Sequence, residues 1–176
     1  MVGVLLGANG RPQHVYANRL RPSLKDLRHE IAITDVLLNY EKDFDMIRHP
    51  GRVNRRLRPD AELVSSDPSR LLYLELDAGT ESLTVVEDQQ KAYTRLANLL
   101  PEQDSRGEPC YRGITRPTDV FLLYVTLSPR RLENLKQRSG AAANIALFTT
   151  LDRVMAEPRG RIWETCDGRQ VRIVGA

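Results

Sequence analysis

The sequence is short of the side chains that carry several common chemistries. It has two cysteines, Cys110 and Cys166, far apart and outside any CxxC pattern. That excludes a cysteine-zinc framework and a disulfide scaffold. The three histidines have no His or Cys partner at metal-ligand spacing, which argues against a zinc site. There is no GxSxG, no Walker A run and no dinucleotide fingerprint, and Gly7 and Gly10 precede no helical pattern. No apolar run approaches the ~18 residues of a membrane helix. The N-terminal MVGVLLGANGRPQ lacks the basic segment and long apolar stretch of a secretory signal. A cytoplasmic location with no membrane partner is the expectation.

Lysine is also scarce. Of 26 Lys+Arg only four are Lys (Lys25, Lys42, Lys91, Lys136), and 23 Asp+Glu leave a formal charge of +3. Arginine makes forked contacts with phosphate and carboxylate that lysine cannot. A genome rich in arginine codons would produce the same bias. With 176 residues, 41% hydrophobic and 28% charged, the chain fits one folded domain that needs no staple.

Along the chain, Val2–Leu6 and His14–Tyr16 read as a short N-terminal β-hairpin, so that residues 1–22 form an extension and 23–176 the main domain. Ser23 with Asp26 resembles a capping box. Leu24, Leu27, Ile31, Thr34 and Leu38 then predict a helix over 24–41. Short strands are expected at 44–47 and 61–65, and Arg70–Asp77 (RLLYLELD) alternates as a third. A second helix runs from Leu83 to Leu100. Residues 101–118 read as a loop and 119–128 as a buried strand. Pro129 opens a helix to about 138. A strand at 145–148, a short helix to Met155 and a terminal hairpin over 161–174, turning at Asp167-Gly168, complete the order. The predicted class is α/β, a mixed central sheet flanked by helices.

Three acids draw attention. Glu75 and Asp77 lie two apart on one strand and share a face. Asp60 follows Pro59 at the start of the adjacent hairpin strand. Carboxylates converging on one face repel unless a cation neutralises them, and Mg²⁺ takes oxygen ligands of this kind. The competing reading makes Asp60 a turn residue and the other two a solvated face. Lys91, in the following helix, could reach toward Glu75 and stabilise phosphoryl charge; otherwise it is an ordinary solvent-facing lysine. Arg48, Arg52, Arg55, Arg56 and Arg58 form a run without an acid, suited to a phosphate backbone. The competing reading pairs them with acids such as Asp43 and Asp45. His29, alone on the first helix, reads as a packing or capping residue.

The segment Arg58–Leu96 resembles the replication-relaxation family of plasmid and mobile-element proteins. It carries Pro59-Asp60-Ala61, then Glu75-Leu76-Asp77-Ala78-Gly79-Thr80-Glu81, then Lys91 with Tyr93. The helix containing His29 and Asp35 is similar to that family's upstream helix. The resemblance implies a restriction-endonuclease-like, PD-(D/E)xK core, with Asp60 and Glu75 as the metal-holding acids. Asp77 stands where that core carries a Lys, so Lys91 would have to substitute. It also implies that GRPQHVYANRL, in 1–22, is the remnant of a winged helix. The expected function is a DNA-binding, nuclease-like protein of plasmid or mobile-element replication or relaxation, in its catalytic form a Mg²⁺-dependent endonuclease at Asp60, Glu75, Asp77 and Lys91. Replication or transfer proteins would be its partners. The alternatives are a catalytically inactive DNA-binding module or a protein-interaction domain on the same fold. Charge reversal at Arg52, Arg55 and Arg56 is expected to weaken DNA binding in a mobility-shift assay. Unchanged affinity would favour the protein-interaction alternative.

Overall fold

A computed structural model of the chain describes residues 5–6, 12–13, 23–44, 46–48, 57–65, 70–99, 102–103, 109–111, 114–115 and 119–174. In chain order these form β1 (Leu5–Leu6), β2 (Pro12–Gln13), α1 (Leu24–Tyr40), β3 (Met46–Arg48), β4 (Ala61–Val64) and β5 (Arg70–Asp77). They continue with α2 (Leu83–Leu99), β6 (Glu102–Gln103), β7 (Pro109–Tyr111), β8 (Ile114–Thr115) and β9 (Asp119–Thr126). The last elements are α3 (Pro129–Arg138), β10 (Ala146–Thr150), α4 (Leu151–Ala156), β11 (Trp163–Glu164) and β12 (Gln170–Val171).

Seven of these strands form one mixed sheet in the order β12-β11-β10-β9-β5-β4-β3. The central β5-β9-β10 pairs are parallel and the flanking pairs antiparallel. Parallel strands need a crossover, and α2 and α3 supply the two required here. Those two helices cover one face of the centre and α1 and α4 the other, which is why β5 and β9 are almost continuously apolar.

The alternation of β5 distributes its side chains between two cores. Leu72, Leu74 and Leu76 join Ile33, Val36, Tyr40 and Trp163 on the α1 face. Leu71 and Tyr73 join Val86, Tyr93, Leu122, Tyr124 and Leu135 on the α2–α3 face. On the first face the Trp163 indole N–H donates to the Tyr40 hydroxyl at 3.1 Å, and that hydroxyl donates to the Pro158 carbonyl at 2.9 Å. Burial pushes the Tyr40 phenol up to about 12.

Several expectations are adjusted. In the N-terminal hairpin Leu5–Leu6 pairs with Pro12–Gln13, and the strand expected at 14–16 lies outside the described residues. The strand expected at 44–47 runs over Met46–Arg48. The expected loop at 101–118 contains a small three-stranded sheet, β6-β7-β8. The terminal hairpin does not turn on a two-residue Asp167-Gly168 loop. Thr165 accepts from the Gly168 N–H at 2.9 Å and donates to the Arg169 carbonyl at 3.0 Å. Gly168 has φ +84. That is a three-residue loop with glycine in the left-handed position, as such loops require.

Leu74 is fully buried between β4 and α1. Leu74→Ala is expected to cost about 2–5 kcal/mol in urea-induced unfolding, the range for a core leucine whose cavity cannot collapse.

Candidate functional site: an acid-lined cavity at the carboxyl end of the sheet

The pairing of β4 with β5 sets Ala61 opposite Leu74. Continuing that register by one residue brings Asp60 opposite Glu75. The connection is held by two bonds: the Asp60 N–H donates to the Leu74 carbonyl at 3.0 Å, and Asp60 Oδ2 accepts from the Leu76 N–H at 2.7 Å. His29, projecting from α1, donates from Nε2 to the Leu76 carbonyl at 3.1 Å and lies 3.5 Å from Asp60 Oδ2. His29 is thus a member of the site, not only a packing residue. The helix pattern concealed this, because its partners lie on a strand 47 residues away.

Glu75 points into the α2–α3 face, where Leu71 and Tyr73 end and the apolar core gives way. The Tyr93 hydroxyl donates to Glu75 Oε1. Tyr124 stands beside Glu75 in the β5–β9 register, its hydroxyl buried without a hydrogen bond of good geometry and with the Gln90 side chain as neighbour. Burial, and next the Asp60 charge, raise the Glu75 carboxyl well above the usual carboxylate range, against a lowering pull from Tyr93. Burial also raises Asp60, against the Leu76 N–H and His29. Burial and the Glu75 charge raise both the Tyr93 and Tyr124 phenols. Each group therefore favours its neutral form.

The segment after Glu75 is explained residue by residue. Asp77 Oδ1 accepts from the Gly79 N–H at 2.7 Å, closing a tight turn that requires the φ of +75 seen at Gly79. Ser82 then caps α2, its hydroxyl accepting from the Val85 N–H at 3.3 Å. Ser128 caps α3 and Pro129 occupies its first turn. That start places Arg131 so that its guanidinium grips Asp77, with Nε 2.6 Å from Oδ2 and Nη2 3.3 Å from Oδ1, and also donates to the Glu81 carbonyl at 2.9 Å. Asp77 is 6% exposed as a side chain, so removing its partner would leave a buried charge, at about 3–5 kcal/mol.

Asp60, Glu75 and Asp77 all line a cavity of about 200 Å³, together with His29, Arg58, Glu81, Gln89 and Tyr124. It opens beyond the carboxyl end of β5, where ligands commonly bind in open α/β sheets. Asp60 and Glu75 are brought together, whereas both oxygens of Asp77 are engaged by its own turn and by Arg131. Lys91 is placed elsewhere: its ammonium pairs with Glu87 at 3.2 Å and Asp88 at 3.3 Å on the outer face of α2. Of the arginine run, Arg58 is exposed and lines the cavity. Only the backbone of Arg48 is described, and Arg52, Arg55 and Arg56 lie outside the described residues. Tyr124 and Arg131 escaped the sequence reading because neither belongs to a local pattern with the acids.

Among the described residues no three His, Cys, Asp or Glu side chains are grouped to hold a metal ion. The Asp60–Glu75 pair offers two carboxylates, fewer than a closed cage needs. No helix among the described residues is long and apolar enough to cross a membrane.

The fold and cavity define an α/β domain with a mixed sheet and an acidic pocket at its carboxyl edge. Residues 3–108 of the 176 match the family model described as replication-relaxation, and the chain belongs to that family. No curated protein and no solved structure matches it.

The raised Glu75 value has a consequence for stability. In the unfolded chain this carboxyl titrates near its ordinary value of 4.5. Its stabilising contribution is complete below that value and is lost as pH rises toward the folded one. Glu75→Gln keeps an acceptor for Tyr93 without the ionisation. The variant is expected to melt higher than the native protein at about pH 8 and to lose that advantage on acidification through the carboxylate range. Circular-dichroism melts across pH measure it, and equal melting at the alkaline end would contradict the assignment.

Proposed function

We propose that this protein acts on DNA in plasmid or mobile-element replication or relaxation, and that Asp60 and Glu75 hold a divalent cation against a phosphodiester. The observation that carries the reading is the apposition of two half-buried carboxyls, Asp60 and Glu75, in an open cavity, with both titrations raised. Such a pair is relieved by a proton or by a cation. Mg²⁺ is commonly held by one or two carboxylates with substrate phosphate and water completing its shell, so a two-acid site fits it when DNA is present. When bound, the ion would neutralise phosphate charge and activate water.

The chain's own residues have separate tasks under this reading. The Leu76 N–H and His29 hold the Asp60 carboxylate in place. Tyr93 orients Glu75. Arg58, at the rim, meets the phosphate and takes the part first assigned to Lys91. Asp77 and Arg131 brace the wall. The succession α1, β3, β4, β5, α2, β9 supports a restriction-endonuclease-like core, since that core runs helix, three strands, helix, strand. A second reading, DNA binding without cleavage, is favoured by the position of Lys91 and by the absence of any lysine among the residues lining the cavity.

Two measurements separate these. Mn²⁺ titrated calorimetrically, with and without a non-cleavable phosphorothioate DNA, is expected to bind the native protein and not Asp60→Asn or Glu75→Gln. Nicking or cleavage of supercoiled plasmid with Mg²⁺ or Mn²⁺, lost in the same variants and reduced in Arg58→Ala, is expected of the catalytic form. Ion binding without cleavage supports the second reading, and no ion binding in any sample overturns the site.

A further inference from the structure

A second cavity lies at the opposite end of the sheet, beside the amino ends of β5, β9 and β10. It encloses about 570 Å³, well within the range of ligand sites. Its floor is the α1-side face of the sheet, with Leu72, Phe121 and Leu147. Val171, in β12, and Ile173 just after it form the wall. An adjoining cavity of about 420 Å³ shares Arg70, Val171, Arg172 and Ile173 and adds Arg161. Most of this lining lies beyond residue 108, outside the family match.

The rim is arginine. Arg70, Arg161, Arg169 and Arg172 are all exposed around the two cavities. Three other arginines are paired with acids: Arg131 with Asp77, Arg153 with Glu164 and Arg159 with Asp43. Among the described residues Arg70, Arg161 and Arg172 have no ion pair. Among the described lining residues the one acid, Asp167, is held ionised first by the Thr165 hydroxyl and is near Arg169. Three exposed guanidiniums around an apolar floor complement a ligand that is anionic on one side and flat and apolar on the other.

We infer that this groove binds single-stranded nucleic acid, with arginines 70, 161 and 172 on successive phosphates and an unpaired base over Phe121. Duplex DNA presents its phosphates but keeps its base faces stacked, so it cannot use the floor. The inference rests on the reading that the protein acts on DNA but not on the acid cavity. Arg70 and Asp77 end the same strand, seven steps or about 23 Å apart.

Fluorescence anisotropy with labelled oligothymidylate, without divalent cation and over a range of salt, tests it. The native protein is expected to bind the oligonucleotide more tightly than a duplex of equal length. The Arg70→Ala/Arg161→Ala/Arg172→Ala variant is expected to bind at least about tenfold more weakly at low salt, with the log–log salt slope reduced by about two, at ~0.7 per single-strand phosphate. Phe121→Leu should lower affinity roughly fivefold or more with the slope unchanged, as loss of stacking without loss of charge does. Unchanged melting of each variant keeps the comparison valid. Equal affinity of the triple variant and the native protein overturns the proposal. So does binding of polyglutamate in place of the oligonucleotide, which would make the groove a protein site. Loss of Mn²⁺ binding in the acid-cavity variants with oligonucleotide binding intact would separate the two sites.

Discussion

The parallel ladder between β5 and β9 is the pairing on which the rest of the molecule depends. It runs in register over the full length of both strands, from Arg70 opposite Asp119 to Asp77 opposite Thr126. It forces a crossover, and α2 is that crossover. It also sets Glu75 beside Tyr124, so the acid enters an environment already occupied by aromatic rings. Tyr73 lies 5.2 Å from Tyr93 between ring centres, and Tyr124 stacks on Phe148 at 5.6 Å. A carboxyl set among such groups cannot be fully hydrated. Its raised value follows from where the ladder puts it.

Two buried acids are handled in opposite ways within one strand. Asp77 is neutralised by a guanidinium and by a turn N–H, and it contributes architecture. Glu75 receives only a phenol and shares its field with Asp60. A further buried acid, Glu164, follows the first pattern: burial opposes its charge, but Lys136 and Arg153 outweigh that and hold it below the usual range. The contrast singles out Glu75 as a charge the fold leaves without a cationic partner among the described residues.

Much of the scaffold was legible because it follows local rules. The α1 spacing, the Ser128-Pro129 start of α3 and the alternation of β5 each depend on residues a few positions apart. The apposition of Asp60 and Glu75 was legible as far as the hairpin was, since register follows from the pairing. Lys91 follows its solvent-facing reading, for a reason already present in the sequence. Val86, Gln90 and Tyr93 form the buried face of α2. A residue two positions from Tyr93 is turned by about 200° and must face outward. The clasp of Asp77 by Arg131 spans 54 residues and no pattern announces it. The loop with Gly168 was misassigned because a dipeptide signal cannot distinguish a two-residue turn from a three-residue one.

The Asp77–Arg131 clasp also bears on how the chain can be divided. The family match ends at residue 108, whereas Arg131 and the β9 strand that covers β5 come later. A fragment cut at that point would present β5 as a bare edge, a template for pairing with other chains. The turn after Asp77 would lose the guanidinium that steadies it. The stretch shared with relatives is therefore not a module that could be excised or exchanged by itself. Recombination would preserve the pocket only by carrying the later strands and helix along with it.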